Sequence, residues 1–250
     1  MRILQGGTVV DANGTRRVDV GFENGEIVEV GRDLTGDDSI GIDGFVAPGL
    51  IDAHVHLSMD GRADPSTIAA ASPAELAYTA VANLRAAAEA GVTTVRDLGC
   101  SADVAIEAGR AVAAGKLKGP RVVACGQNIV MTGGHGRWFG READGPVEVK
   151  KAAREQLKRG ADVLKCMATG GVLTEGALTG LPEFDRAELE AIVAVAESKA
   201  VPTAAHAHGT QGIMNAVEAG ITSIEHGTFM DRSAAELMAD HGTVWVPTAS

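Results

Sequence analysis

The spacing of hydrophobic and polar positions changes at about residue 45. Before that point the β-type runs are short: Thr8-Val9-Val10, Val18-Asp19-Val20-Gly21-Phe22 and Glu26-Ile27-Val28-Glu29-Val30. Asn13-Gly14 and Asn24-Gly25 lie between them. Asn-Gly accepts the positive φ angles of a tight hairpin turn. Residues 1–44 therefore predict a small antiparallel β unit, with too few strands to close a core alone.

After residue 45 the pattern becomes strand, helix, strand, helix. Phe45–Leu57 reads as an apolar strand, and Ala74–Ala90 as an Ala-rich helix stopped by Gly91. Strands follow near residues 92–95, 121–124, 162–166, 202–205, 222–224 and 243–246. Helices near 104–114, 147–159, 186–199, 211–219 and 233–239 lie between them. A long loop, Gly126–Pro146, interrupts the alternation. Such alternation requires parallel strands with crossover helices. An open doubly wound sheet and a (β/α)8 barrel both fit. The absence of GxGxxG and GxxxxGK[ST] after the first strands weakens the nucleotide-binding form of the open sheet. Seven strands are readable where a barrel needs eight, and an open edge would leave backbone groups unpaired. The expectation is a piece of a longer chain that continues beyond Ser250.

Composition narrows the function. Lys plus Arg is 22 and Asp plus Glu is 33, a net charge of −11, with 3% aromatic residues. An acidic chain with few stacking rings is a poor nucleic-acid partner. No apolar run approaches the roughly 20 residues of a spanning helix, and no leader is apparent at Met1, so no membrane partner is expected. Cys100, Cys125 and Cys166 are scattered and form no CxxC, which favours a reducing cytoplasmic setting and small core residues. A homo-oligomer is left open.

The candidate chemistry sits at strand ends. In Asp52-Ala53-His54-Val55-His56 the two histidines share a strand face, because side chains alternate. Taken alone, the pair reads equally as hydrogen-bonded strand-end residues or as metal ligands. His206-Ala207-His208 follows another strand, and Glu225-His226-Gly227 a third. Barrel enzymes place their sites at such C-terminal strand ends, and four converging imidazoles favour a metal. Lys165 closes the apolar run Asp162-Val163-Leu164-Lys165. Burial there would lower its pKa and make the amine a nucleophile. The bland alternative is a lysine paired with a carboxylate at the rim.

The segments GLIDAHVH, MTGGHG, ADVLKCMATGGV, HAHG and IEHGTFMD together resemble the metal-dependent amidohydrolase superfamily, most of all its imidazolonepropionase-related, Xaa-Pro dipeptidase-like subgroup. The resemblance implies an α/β (β/α)8 TIM-type barrel over residues 45–250. Residues 1–44 would be the N-terminal part of a composite β-sandwich. It also implies two divalent metal ions, commonly zinc. His54 and His56 would bind one ion and His206 and His226 the other. Lys165, carboxylated by carbon dioxide, would bridge the pair. The family's remaining ligand, an Asp ending the eighth strand, has no counterpart in this sequence.

The implied activity is hydrolysis of a carbon–nitrogen bond by a metal-bridging hydroxide. The small-molecule substrate would be a dipeptide or N-acyl amino acid. The alternatives are a cyclic-amide hydrolase, or an inactive amidohydrolase-like binding protein. A mononuclear deaminase fits less well, since those relatives lack the bridging lysine. His135, in the glycine-rich loop, is the candidate for polarising the carbonyl or holding a substrate carboxylate. His208 is a candidate substrate contact. Trp138 and Phe139 read as a pocket wall or a loop anchor. Arg96 and Asp97 read as an ion pair with each other. Asp52 orients an imidazole or caps backbone. Thr169-Gly170-Gly171 reads either as a source of backbone amides for a substrate carboxylate or as an ordinary tight turn. His241 carries no chemistry beyond complementing a helix end.

Overall fold

The computed structural model describes residues 1–61, 64–172, 174 and 178–249. The chain divides into two compact units, Met1–Leu50 and Ile51–Ser250.

The first unit contains β1 (Arg2–Gln5), β2 (Thr8–Asp11), β3 (Gly14–Arg17), β4 (Asp19–Glu23), β5 (Glu26–Gly31), β6 (Asp38–Gly41) and β7 (Phe45–Val46). Both hairpins form where the Asn-Gly pairs predict them. β4 and β5 pair antiparallel around Asn24-Gly25, whereas β2 and β3 pair around Ala12-Asn13, with Gly14 (φ 101°) opening β3. Asn24 (φ 51°) and Gly25 (φ 83°) both take the left-handed conformation that such a turn demands. The unit is not purely antiparallel, however. β1 pairs with β6, and β2 with β7, in parallel. The intervening hairpins act as the crossover that parallel pairing requires. The sheets run β5-β4-β1-β6 and β3-β2-β7. Ile3, Val9 and Val20 are buried. Asp19, also buried, accepts hydrogen bonds from the amides of Gly6 and Leu34.

The second unit is the alternating part. Its strands are β8 (Leu50–Val55), β9 (Val92–Asp97), β10 (Arg121–Ala124), β11 (Ile129–Val130), β12 (Arg141–Glu142), β13 (Leu164–Met167), β14 (Thr203–Gly209), β15 (Ser223–Phe229) and β16 (Val244–Val246). Its helices are α1 (Pro73–Glu89), α2 (Val104–Ala113), α3 (Gly145–Arg159), α4 (Arg186–Glu197), α5 (Thr210–Glu218) and α6 (Arg232–His241). The strands form the sheets β10-β9-β8 and β12-β11-β13-β14-β15-β16. β9 and β10 pair in parallel, as does every neighbouring pair of the longer sheet. Asp162 couples the two sheets. Its amide donates to the Ala124 carbonyl (2.8 Å), and its carboxylate accepts from the Ala124 amide (3.0 Å). This is the α/β arrangement of a TIM-type barrel, and the seven strands read from the sequence are all present.

Two differences from the sequence pattern have physical causes. Phe45–Leu57 is not one strand: Ala47-Pro48-Gly49 separates β7 from β8, and proline withholds the amide a continuous ladder needs. The loop before α3 is not wholly irregular, because β11 and β12 add to the edge of β13. Helix ends follow local chemistry. Asp185 and Glu188 form a capping box on α4, and Gly160 (φ 103°) ends α3 in a left-handed turn. The sheet packs on the helices through Leu164, Cys166, Ile192, Ile213 and Ile224, all buried. The three cysteines are free and buried. Among the described residues no helix is long and apolar enough to cross a membrane.

Candidate metal centre

Four strands deliver polar side chains to one place. β8 brings His54, with His56 just past its end, β13 brings Lys165, β14 brings His206 and His208, and β15 brings His226. The loop after β11 adds His135, Trp138 and Phe139. All of them line a single cavity of ≈ 290 Å³, together with Met59, Met167, Val172 and Thr248. Every residue singled out from the sequence as ligand, catalytic or substrate-contact candidate is among them. Ring centroids run 5.3 Å from His54 to His56 and 4.9 Å from His54 to His226. His206 lies 4.7 Å from His226 and 4.5 Å from His135. Trp138 and Phe139 pack on each other at 4.4 Å, and Phe139 meets His56 at 5.5 Å, so this pair is a pocket wall.

Alternation explains most of this convergence. His54 and His56, Lys165 and Met167, and His206 and His208 are each two residues apart and share a face. Glu225 and His226 are adjacent, yet His226 lines the cavity while Glu225 reaches His54. A regular strand would turn them to opposite faces. His226 has φ 70°, a left-handed conformation that costs a non-glycine residue on the order of 1–3 kcal/mol. The ladder between β14 and β15 also shifts register just beyond it. Backbone strain at His226 thus brings two successive side chains to one site. A second close approach occurs at Gly171, where a Cβ would lie 2.5 Å from His135 Nε2. Only glycine leaves room for that ring.

The rings are held through Nδ1. His54 Nδ1 meets Glu225 Oε2 at 2.8 Å, and His56 Nδ1 meets the Gly99 carbonyl at 2.9 Å. Both acceptors lack a proton to give, so both rings carry hydrogen on Nδ1 and leave Nε2 as a lone-pair donor. Asp97, fully buried, supports His56 through the backbone: it accepts from the amides of Leu57 (2.7 Å) and Gly99 (3.1 Å). Threonine hydroxyls hold three of the other rings. Thr174 meets His135 Nδ1 at 3.0 Å, Thr228 meets His208 at 2.8 Å, and Thr248 meets His226 at 2.7 Å.

Electrostatics keep the imidazoles neutral. Burial, with positive neighbours, lowers His56 and His226 to about 3 and His135 to about 4. His206 is driven well below the ordinary histidine range, chiefly by burial. Neutral imidazole is the metal-binding form. Lys165 is only 1% exposed, and burial pushes its amine below the ordinary lysine range against the pull of Glu225. Burial acts to raise Glu225, but His54, Lys165, Arg96 and Ser223 outweigh it and hold the carboxylate at about 2.

Several readings of the sequence need correction. Arg96 does not pair with Asp97. It bridges to Glu225 (2.9 Å), while Asp97 is spent on backbone amides. The Gly170 amide is not free, since it donates to the Leu181 carbonyl. Asp52 caps the His54 amide (3.2 Å). His241 bonds the Leu237 carbonyl, as a helix-end residue would. Glu225 and the three threonines were given no role by the sequence. For Glu225 the signal was an acid inside the strand segment that starts Thr222-Ser223-Ile224, a costly choice unless it is paired.

The donor set fits divalent metal. His206 Nε2 is buried and has no hydrogen-bond partner among the described residues, an orphan that a cation would satisfy. The Nδ1 anchors of His54 and His56 are the partners that orient metal-binding imidazoles. Among the described residues no three His, Cys, Asp or Glu side chains already close on one point.

Comparison with known proteins points the same way. Residues 45–250 match the Amidohydrolase family. Ochratoxinase from Aspergillus niger is 33% identical over 230 residues, covering 81% of this chain and 47% of its own length. The chain thus spans about half the length of the curated relatives it matches. A prolidase solved with N-methylphosphonate-L-proline superposes with a TM-score of 0.92 at 32% identity, over 99% of this chain and 66% of that one. An Xaa-Pro dipeptidase with bound methionine in its active site gives 0.90 at 33% identity, over 99% and 66%.

Proposed function

The chain belongs to the amidohydrolase family, and from that membership we propose that the protein is a binuclear metal-dependent hydrolase of a carbon–nitrogen bond. The observation that carries this reading is Lys165, fully buried in a cavity lined by six imidazoles. A buried amine without such a task is a costly core residue.

His54 and His56 would hold one ion and His206 and His226 the other, with Lys165 contributing to both. The Lys165 amine, lowered by burial, bonds through nitrogen to carbon dioxide and releases a proton, giving a carbamate with two oxygen donors. Bound divalent cations, zinc foremost, would supply an activated water and a Lewis acid for the scissile carbonyl. His135 lies beside His206 and polarises that carbonyl or receives a substrate carboxylate. His208 contacts the substrate. Met59, Trp138, Phe139 and Val172 offer an apolar side chain its place.

A dipeptide or N-acyl amino acid suits this mixture. Similarity to a prolidase, an Xaa-Pro dipeptidase and ochratoxinase supports an amide substrate. The test is hydrolysis of a dipeptide and N-acyl amino acid panel by the full chain with zinc, before and after chelation. Metal-dependent cleavage of at least one amide is expected. No cleavage of any amide by a metal-loaded protein would overturn the reading.

A further inference from the structure

We propose that Glu225 is the positioning residue for His54, fixing its tautomer from a buried clamp formed with Arg96 and Ser223. The inference rests on His54 being a metal ligand, but it concerns residues to which the reaction itself assigns no part.

The clamp spans the two sheets of the second unit. Arg96 stands on β9, and Ser223 and Glu225 on β15. The Arg96 guanidinium donates Nη2 to Glu225 Oε1 (2.9 Å), Nη1 to Ser223 Oγ (3.2 Å) and Nε to the Ala53 carbonyl (2.7 Å). Ser223 Oγ, already accepting from arginine, donates its own hydrogen to Glu225 Oε1 (2.7 Å). Two donors therefore occupy Oε1, and Oε2 is left facing His54 Nδ1 at 2.8 Å. Glu225 is wholly buried, and the Arg96 side chain is 18% exposed. A buried ion pair contributes little net stability, because desolvation offsets the attraction. What this one supplies is an acceptor without a proton, so His54 must hold its hydrogen on Nδ1 and keep Nε2 bare. The Nε contact to Ala53 also fixes the backbone next to His54.

Glu225→Gln separates orientation from packing, because the side chains have nearly the same shape. Arginine and serine would hold the amide oxygen, so the NH2 would face His54 Nδ1. The ring would then move its hydrogen to Nε2 and lose the lone pair a metal needs. The experiment is 15N NMR of histidine-labelled, metal-free full chain, with Zn2+ affinity by chelator competition. The account expects the Nδ1–H form of His54 in the wild type and the Nε2–H form in E225Q. It also expects Zn2+ affinity to fall about 10–100-fold in E225Q. An Nε2–H tautomer in the wild type overturns the proposal, and that measurement stands even if E225Q does not fold. A folded E225Q with unchanged tautomer and unchanged Zn2+ affinity also overturns it. A wild type that binds no Zn2+ defeats the metal reading instead, while its His54 tautomer still decides the clamp.

Discussion

The imidazoles of β8 and those of β14 and β15 share one cavity but are anchored by different chemistry. His54 and His56 lean on a carboxylate and a backbone carbonyl. His208 and His226 lean on threonine hydroxyls. A carboxylate or carbonyl only accepts, so it dictates the tautomer. A hydroxyl donates or accepts, and adapts. His54 and His56 are therefore preset, while His226 and the neighbouring His208 are adjustable. Preset rings suit a permanently held ion, whereas adjustable rings suit the side of a site where substrate arrives and leaves.

That contrast can be broken or sharpened by substitution. Lys165→Met removes the group both halves share, and should have the largest effect. Bound zinc should fall by about half or more, and hydrolysis by at least about 100-fold, read by elemental analysis and rate. Next is His135→Ala, which touches neither half's proposed ligand set. Turnover should drop on the order of 100-fold with zinc content unchanged, and loss of zinc would contradict its role.

Thr248→Val tests the adjustable side directly. Because a hydroxyl does not dictate the His226 tautomer, zinc affinity should change by less than about 10-fold, below the range expected for Glu225→Gln. Equal losses in the two variants would erase the comparison.

The smallest effect lies in the first unit. The Arg16 guanidinium beside Asp11 holds its carboxyl at about 2. A depressed carboxylate contributes stability above its unfolded value of 3.8, and loses it as pH falls toward 2. Arg16→Ala should return Asp11 toward its ordinary value in an NMR titration, leaving the cavity untouched.

How much of this was legible in the sequence depended on range. The Asn-Gly turns and the helix-ending glycines are local signals, and those elements formed where expected. His54, His56, Lys165, His206 and His208 were readable as sharing a cavity because strand alternation has a fixed period. His226 stood out only as a histidine after a strand. Its inward turn depends on a left-handed backbone that no periodicity encodes. Glu225, Arg96 and Ala53 are far apart in the chain, and their bonds arise only when the two sheets come together. Sequence adjacency favoured the wrong partner for Arg96, namely Asp97. The parallel pairs β1–β6 and β2–β7 were invisible for the same reason.

The most direct test of the central claim is the amount of zinc retained by the full chain, dialysed with bicarbonate present and measured per polypeptide. Imidazoles from separate strands gathered around Lys165 predict about two equivalents. A folded protein that retains none would contradict the account.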